Sequence, residues 1–136
     1  MQTEQTRQLV QQFLTARAAN DAATIATLLA EDAQWHPPAS MKIGPFHGGA
    51  TVTKALTGGA IGKFLQIDTV KRDVHHLIVE GDTAVALQRM EAKTVGGDDY
   101  INEYAWVYHC VNGKIDRLDE YADSLHAARL FGLIKG

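Results

Sequence analysis

Three charged residues in the second half of the chain have the types and spacing for acid–base chemistry. Because side chains alternate along an extended strand, Arg89 and Glu91 share one face. Val85 and Leu87 precede them in the same phase, so we expect this face to form an apolar pocket with charge at its end. Glu120 lies on a later strand that could pair nearby. Two carboxylates joined by an arginine can transfer protons without a metal or cofactor, although an exposed cross-strand ion pair fits the alternation equally well.

Other candidates for a metal or phosphate site lack the required spacing. His75 and His76 are adjacent on a strand and therefore point to opposite faces. No His-Glu-x-x-His or Cys-x-x-Cys spacing occurs, and Gly58, Gly59 and Gly62 fall within a helical pattern with no strand before them. We therefore predict no metal and no cofactor.

The composition argues against several classes of partner. At 136 residues the chain has the length of one domain, residues 1–136. A net charge of -3 and a pI near 6.0 provide no basic surface for nucleic acid. No apolar run is as long as a membrane span, the N-terminus lacks the apolar core of a signal peptide, and the lone Cys110 cannot form an internal disulfide. We expect a soluble, cytoplasmic protein that binds a small molecule.

Residue periodicity predicts helices followed by a meander of strands. Helical spacing covers residues 4–19, 22–29, a segment from 51 that breaks near 58–59, and a closing helix at 124–133. In the first helix the apolar residues form one side and the Gln and Arg residues the other. Alternation predicts strands at residues 33–36, 67–80, 83–95, 100–111 and 114–122. This order predicts an α+β fold, with N-terminal helices packed on one face of a curved, mostly antiparallel sheet.

Three short runs occur in an order typical of one group of proteins. They are LAEDA at 29–33, GPFHG at 44–48, and NGKI at 112–115 leading into EYAD at 120–123. In these runs the chain resembles the SnoaL-like branch of the nuclear-transport-factor-2-like superfamily. The resemblance implies a cone-shaped, cystatin-like fold with a deep pocket, and it implies a homodimer. It leaves the activity open, since this fold carries isomerases, cyclases, dehydratases, epoxide hydrolases and non-catalytic binders.

Within that superfamily the chain is similar to the limonene-1,2-epoxide hydrolases. Arg89 and Glu91 fall on the arginine and aspartate that this family carries two apart on one strand, and Glu120 falls on its second aspartate. The resemblance implies that Glu91 protonates the epoxide oxygen while Glu120 takes a proton from water, and the reverse assignment stays open. Both acids are Glu here, and Trp35 and Pro37 replace a water-holding tyrosine and asparagine.

Further pocket residues are expected on the strands beside these acids. Asn102, Tyr104 and Trp106 share one face of a strand, and the resemblance places that face in the pocket. The same aromatic residues could instead simply pack under the helices. Trp35 and His36 lie near the expected mouth of the pocket, with His36 pointing to the opposite face if the strand is regular.

Three functions remain open at this point. The first is a small cofactor-independent enzyme that uses Glu91, Arg89 and Glu120 for acid–base catalysis on a compact, largely apolar substrate, with epoxide hydrolysis as the nearest example. The second is a polyketide cyclase or a ketosteroid-isomerase-like isomerase that acts on a carbonyl substrate with one acid, Glu120 or Asp123. The third is a non-catalytic ligand-binding or dimerisation domain.

Overall fold

Helices and strands follow one another largely as predicted in the computed structural model, which describes residues 1–134. The helices are α1 (Thr3–Ala18), α2 (Ala22–Leu28), α3 (Gly49–Leu56) and α4 (Ser124–Leu130). The strands are β1 (Leu29–His36), β2 (Phe46–His47), β3 (Lys71–Glu80), β4 (Thr83–Lys93), β5 (Asp99–Val111) and β6 (Lys114–Ala122). Within residues 1–134 no helix is both long enough and apolar enough to cross a membrane.

One six-stranded sheet of order β2-β1-β6-β5-β4-β3 carries the helices. β1 and β6 run parallel, and the other neighbouring strands run antiparallel. The β5–β6 hairpin turns at Asn112 and Gly113, whose φ values of 52° and 78° are both positive, as a type I′ turn requires. The predicted fold class, an α+β cone of helices on a curved, mostly antiparallel sheet, is confirmed.

Several element boundaries differ from the predicted ones: β1 begins at Leu29 rather than at residue 33, β4 ends at Lys93 rather than at residue 95, and β2 was not predicted. The strand predicted from residue 67 begins at Lys71, because Ile67–Thr69 forms a 3-10 turn. The closing helix, predicted to reach residue 133, ends at Leu130. Gly132 has a φ of 73°, and the Leu133 N–H turns back to the Ala128 carbonyl at 2.8 Å, so the chain leaves the helix there.

The first helix presents one buried stripe to the sheet. Its buried residues recur every three or four positions, and they include Val10, Phe13 and Arg17. The Phe13 ring meets Tyr108 of β5 edge to face, with ring centroids 5.6 Å apart. The rotation of α1 that allows this contact also turns Arg17 into the core. The prediction that the Arg residues of this helix lie on its outer side is therefore wrong for Arg17.

The buried face of β4 is the opposite of the one expected, which carries Arg89 and Glu91. Its buried residues are Ala84, Ala86, Gln88, Met90 and Ala92. Ala86 lies opposite Trp106 and Ala84 opposite Tyr108 in the β4–β5 register. The small side chains of Ala84 and Ala86 leave room for the large rings beneath the helices. The opposite phase of the strand would turn Leu87 inward, where it would crowd these rings. Residues 84–87 are all apolar, so alternation indicated the period of the strand but not which face is buried.

Candidate functional site

An apolar cavity lies between the inner face of the sheet, α1, α4 and the loops that follow β1 and α3. Its cavity volume is about 50 Å³, which is below the roughly 300–1,000 Å³ typical of small-molecule sites and limits it to a compact ligand. Its walls include Met41, Ile61, Phe64, Met90 and Phe131. Its polar side chains are Arg17, Trp35, Tyr104, Trp106 and Glu120. A few polar groups in an apolar hollow are typical of a small-molecule site.

Glu120 provides the only carboxyl that lines this cavity among the described residues. It lies on β6 opposite Trp106, and the Trp35 indole Nε1–H donates a hydrogen bond of 3.1 Å to its Oε1. Burial raises the pKa of Glu120 to about 7, although Arg17, the Trp35 hydrogen bond and Arg72 act in the opposite direction. A carboxyl with this pKa is divided between its acid and carboxylate forms near neutral pH, so it can both give and accept a proton.

Two guanidinium groups lie near Glu120. Arg17 is 4% exposed, and its Cζ lies 5.1 Å from the centroid of the Trp106 ring. Arg72 of β3 donates through Nη1 to the backbone carbonyl of Arg17 at 3.5 Å. Burial, followed by repulsion from Arg17, lowers the pKa of Arg72 to about 9. Arg72 does not line the cavity itself, so its contribution there is its charge.

A hydrogen-bonded pair of tyrosines lies on the inner face of β5. The Tyr100 and Tyr104 hydroxyls are 2.5 Å apart, and Asn102 Nδ2 donates to the Tyr100 hydroxyl at 2.9 Å. Burial raises the pKa of both tyrosines, so their hydroxyls are neutral at ordinary pH and remain donors. Tyr104 lines the cavity, which places one phenol within the same hollow as Glu120.

Four of the predicted site residues meet in this cavity, and they are Trp35, Tyr104, Trp106 and Glu120. Asn102 lies beside them but is buried in the strand, where its Nδ2 also donates to the Asp123 carbonyl at 3.0 Å. Asp123 caps α4 by accepting a hydrogen bond from the His126 N–H at 3.1 Å, and its side chain does not line the cavity.

Arg89 and Glu91 do not join Glu120. They lie on the outer face of the sheet with side chains 42% and 52% exposed, and Arg89 Nη2 is 3.4 Å from Glu91 Oε1. The expected convergence of Arg89, Glu91 and Glu120 is therefore wrong. The physical reason is the phase of β4, which follows from the fit of Ala84 and Ala86 under the rings of β5. The alternative noted above, an ion pair on an exposed sheet face, describes this pair.

His36 lies on the face of β1 opposite Trp35, as expected. Its Nε2 is 2.8 Å from the Gln34 side-chain oxygen, and its ring meets His47 edge to face at 6.2 Å. Burial lowers the pKa of His36, and repulsion from the Arg117 charge lowers it further. His36 is not among the residues that line the cavity.

Sequence reasoning missed Arg17 and Arg72. The spacing of Arg17 could have predicted its burial, because it follows Phe13 by four positions and so belongs to the apolar stripe of α1. Arg72 lies opposite Met90 in the β3–β4 register, so its inward orientation could be recognised only after the phase of β4 was known. Within residues 1–134 no group of three or more His, Cys, Asp or Glu residues is arranged to hold a metal ion. The predicted lack of a metal and a cofactor, and the predicted homodimer, stay predictions.

Comparison with known proteins supports a single family. Residues 10–118 match the SnoaL-like domain family. No similar sequence was found among curated proteins. A nuclear-transport-factor-2-like protein of unknown function from Burkholderia pseudomallei is similar in structure, with 20% identity, a TM-score of 0.83 and coverage of 93% of this chain and 97% of that one.

Two further solved structures carry functional names. A candidate ketosteroid isomerase from Kribbella flavida has 19% identity and a TM-score of 0.71, over 88% of this chain and 78% of that one. An epoxide hydrolase from Mycobacterium tuberculosis, described as similar to limonene epoxide hydrolase, has 14% identity and a TM-score of 0.74, over 96% of this chain and 92% of that one. At these identities the likeness shows the fold and leaves the reaction open.

Proposed function

The chain belongs to the SnoaL-like domain family, and from that membership together with the half-buried Glu120 in the cavity we propose a small enzyme that transfers protons through one carboxyl. The substrate is a compact, largely apolar molecule that carries a carbonyl group. The observation that carries this proposal is a single carboxyl in an apolar cavity, with a pKa near 7 and one oxygen held by Trp35. A pKa close to the working pH is what general acid–base catalysis favours.

The proposed reaction is an isomerisation or cyclisation that begins at the carbon next to the carbonyl. The Glu120 carboxylate removes a proton from that carbon, and the electron pair of the broken C–H bond moves toward the carbonyl to form an enolate. The neutral Tyr104 hydroxyl donates a hydrogen bond to the developing oxyanion. In an isomerisation of an unsaturated ketone, protonated Glu120 then gives the proton to a second carbon of the conjugated enolate. In a cyclisation, the enolate carbon attacks a second carbonyl of the same molecule, and protonated Glu120 gives the proton to the oxygen of that carbonyl.

Epoxide hydrolysis is a second candidate, favoured by the Mycobacterium neighbour and by Glu120 at the place of the second acid. It is weaker because the partner acid is missing from the cavity: Glu91 lies on the outer face of the sheet. Water enriched in oxygen-18 separates the two reactions. Hydrolysis of an epoxide transfers label from water into the diol, and the proton-transfer reaction produces no diol.

The first test is exchange of hydrogen for deuterium next to the carbonyl of compact ketones in heavy water, followed by NMR. We expect the protein to accelerate exchange and the Glu120→Gln variant to lose about 10²–10⁴-fold of that rate. Glu91→Gln is the matched control, because it makes the same change on the outer face and should leave the rate unaltered. Exchange no faster than in buffer, or equally fast in Glu120→Gln, contradicts the proposal and favours a binding domain without catalysis.

A further inference from the structure

Arg17 is a buried cation without an anionic partner among residues 1–134. Its Nη2 is buried and has no hydrogen-bond partner, and within residues 1–134 its guanidinium forms no ion pair with a carboxylate. A buried charge is normally paired, because its removal from water is costly. The side chain also lines the cavity, so the missing partner has a place to bind.

The titratable groups near Arg17 do not supply that partner. Glu120 is the nearest acid, but its Oε1 accepts from Trp35, and burial favours its neutral form. Tyr104 and Tyr108 are neutral phenols. The Tyr108 hydroxyl is itself buried and without a hydrogen-bond partner.

The charges around the cavity sum to a positive value. Arg17 and Arg72 provide two guanidinium groups, and Glu120 is the single carboxyl of the lining. When Glu120 is protonated the cluster carries two positive charges, and when it is ionised it carries one. Either state attracts an anion into a low-dielectric hollow, where such attraction is strong.

We propose that the cavity binds an organic carboxylate, with its anionic oxygens on Arg17 and its apolar body between Trp35, Trp106 and the residues at the mouth. Arg17 lies over the face of Trp106, and its Nη2 has no hydrogen-bond partner among the described residues, so this nitrogen can donate to a carboxylate. Arg72 acts through its charge from behind Arg17. This inference rests on the proposed function, because it takes the cavity as the substrate site. The substrate class is then a carbonyl compound that bears a carboxylate.

The test compares two probes of the same shape, 2-naphthoate and 2-naphthamide, by isothermal titration calorimetry. At about pH 6 the naphthoate is ionised while Glu120 is largely protonated, so the carboxylate meets the most positive form of the cavity. We expect the wild-type protein to bind the carboxylate about 10- to 100-fold more tightly than the amide, because a charge-assisted hydrogen bond typically contributes a factor of this size to affinity. Arg17→Met should bring the two affinities together, and Arg17→Lys should keep part of the preference.

Arg89→Met is the matched control, because it removes an arginine from the exposed face and should leave the preference unaltered. Near-ultraviolet circular dichroism reports whether each variant is folded, and Arg72→Met provides a second reduction of charge if Arg17→Met does not fold. The proposal is overturned if wild-type protein binds both probes equally or neither, or if Arg17→Met keeps the preference. Carboxylate binding that depends on Arg17, without deuterium exchange, would contradict the proposed catalysis and leave this inference standing.

Discussion

The indole Nε1–H of Trp35 donates a 3.1 Å hydrogen bond to Oε1 of Glu120. The two residues lie on the neighbouring parallel strands β1 and β6, where Trp35 is in register with Leu118, two positions before Glu120. Trp35 is therefore a donor that holds the carboxyl itself. An indole cannot accept a proton, so Trp35 can position Glu120 without competing with it in proton transfer.

Trp35→Phe removes this donor while keeping an aromatic ring in the stack with Phe46 and Trp106. The hydrogen bond favours the charged form of Glu120, so its loss should raise the pKa of Glu120 from its value of about 7. Carbon-13 NMR of the glutamate carboxyls, assigned with Glu120→Gln, measures this shift directly. A Glu120 pKa that stays the same or falls in Trp35→Phe contradicts the proposed role of the indole.

Glu120 should make the protein less stable as pH rises from 4.5 to about 7. The folded state holds the Glu120 proton more tightly than the unfolded chain does, so the stabilising effect is complete below 4.5 and is lost as pH rises through about 7. The loss from this one group is on the order of 3 kcal/mol in the free energy of unfolding. Urea unfolding across this pH range measures it.

The Glu120→Gln variant has no titrating group at position 120, so the dependence of its stability on pH should be flatter. We therefore expect this variant to be more stable than wild type at pH values above 7. Glu91→Gln, in contrast, should follow the wild-type curve because its side chain is half exposed. Parallel curves for wild type and Glu120→Gln would show that Glu120 titrates at its ordinary pKa in the folded protein.

Tyr104→Phe tests the phenol proposed to hold the oxyanion. The variant loses the hydroxyl that lines the cavity, whereas Tyr100 keeps its hydrogen bond from Asn102, so the fold should persist. We expect the exchange rate at saturating ketone to fall about 10²–10³-fold, as on removal of an oxyanion donor. Tyr121→Phe makes the same change at a residue 60% exposed and should have no effect. An unchanged rate in Tyr104→Phe would exclude this donor from the reaction.

Ala86→Leu tests the burial of the inner face of β4. Ala86 is fully buried opposite Trp106, so extra atoms there should destabilise the fold by about 1–3 kcal/mol through overpacking. Ala105 lies opposite Leu87 on the outer face of the same strand pair, so Ala105→Leu is the matched control and should change stability little. Thermal and urea unfolding of both variants measure the difference. Equal destabilisation would mean that the two faces of β4 are similarly packed.

Much of the fold followed from local patterns. Residues 112–113 predicted the β5–β6 hairpin because few sequences other than Asn-Gly satisfy two successive positive φ angles. The alternation of Tyr104 and Trp106 placed both rings on one face of β5, and both line the cavity with Glu120. These features depend on backbone geometry over a few residues, which is why the sequence alone determined them.

The composition of the candidate site depended on tertiary packing. Alternation in β4 indicated a period of two, but apolar residues at 84–87 left the buried face undecided until the rings of β5 required small partners. That choice placed Arg89 and Glu91 in solvent. Likewise, the contact of Phe13 with Tyr108 rotated α1 so that Arg17 entered the cavity. The sequence thus determined which residues share a face, and only packing between distant segments decided which faces enclose the cavity.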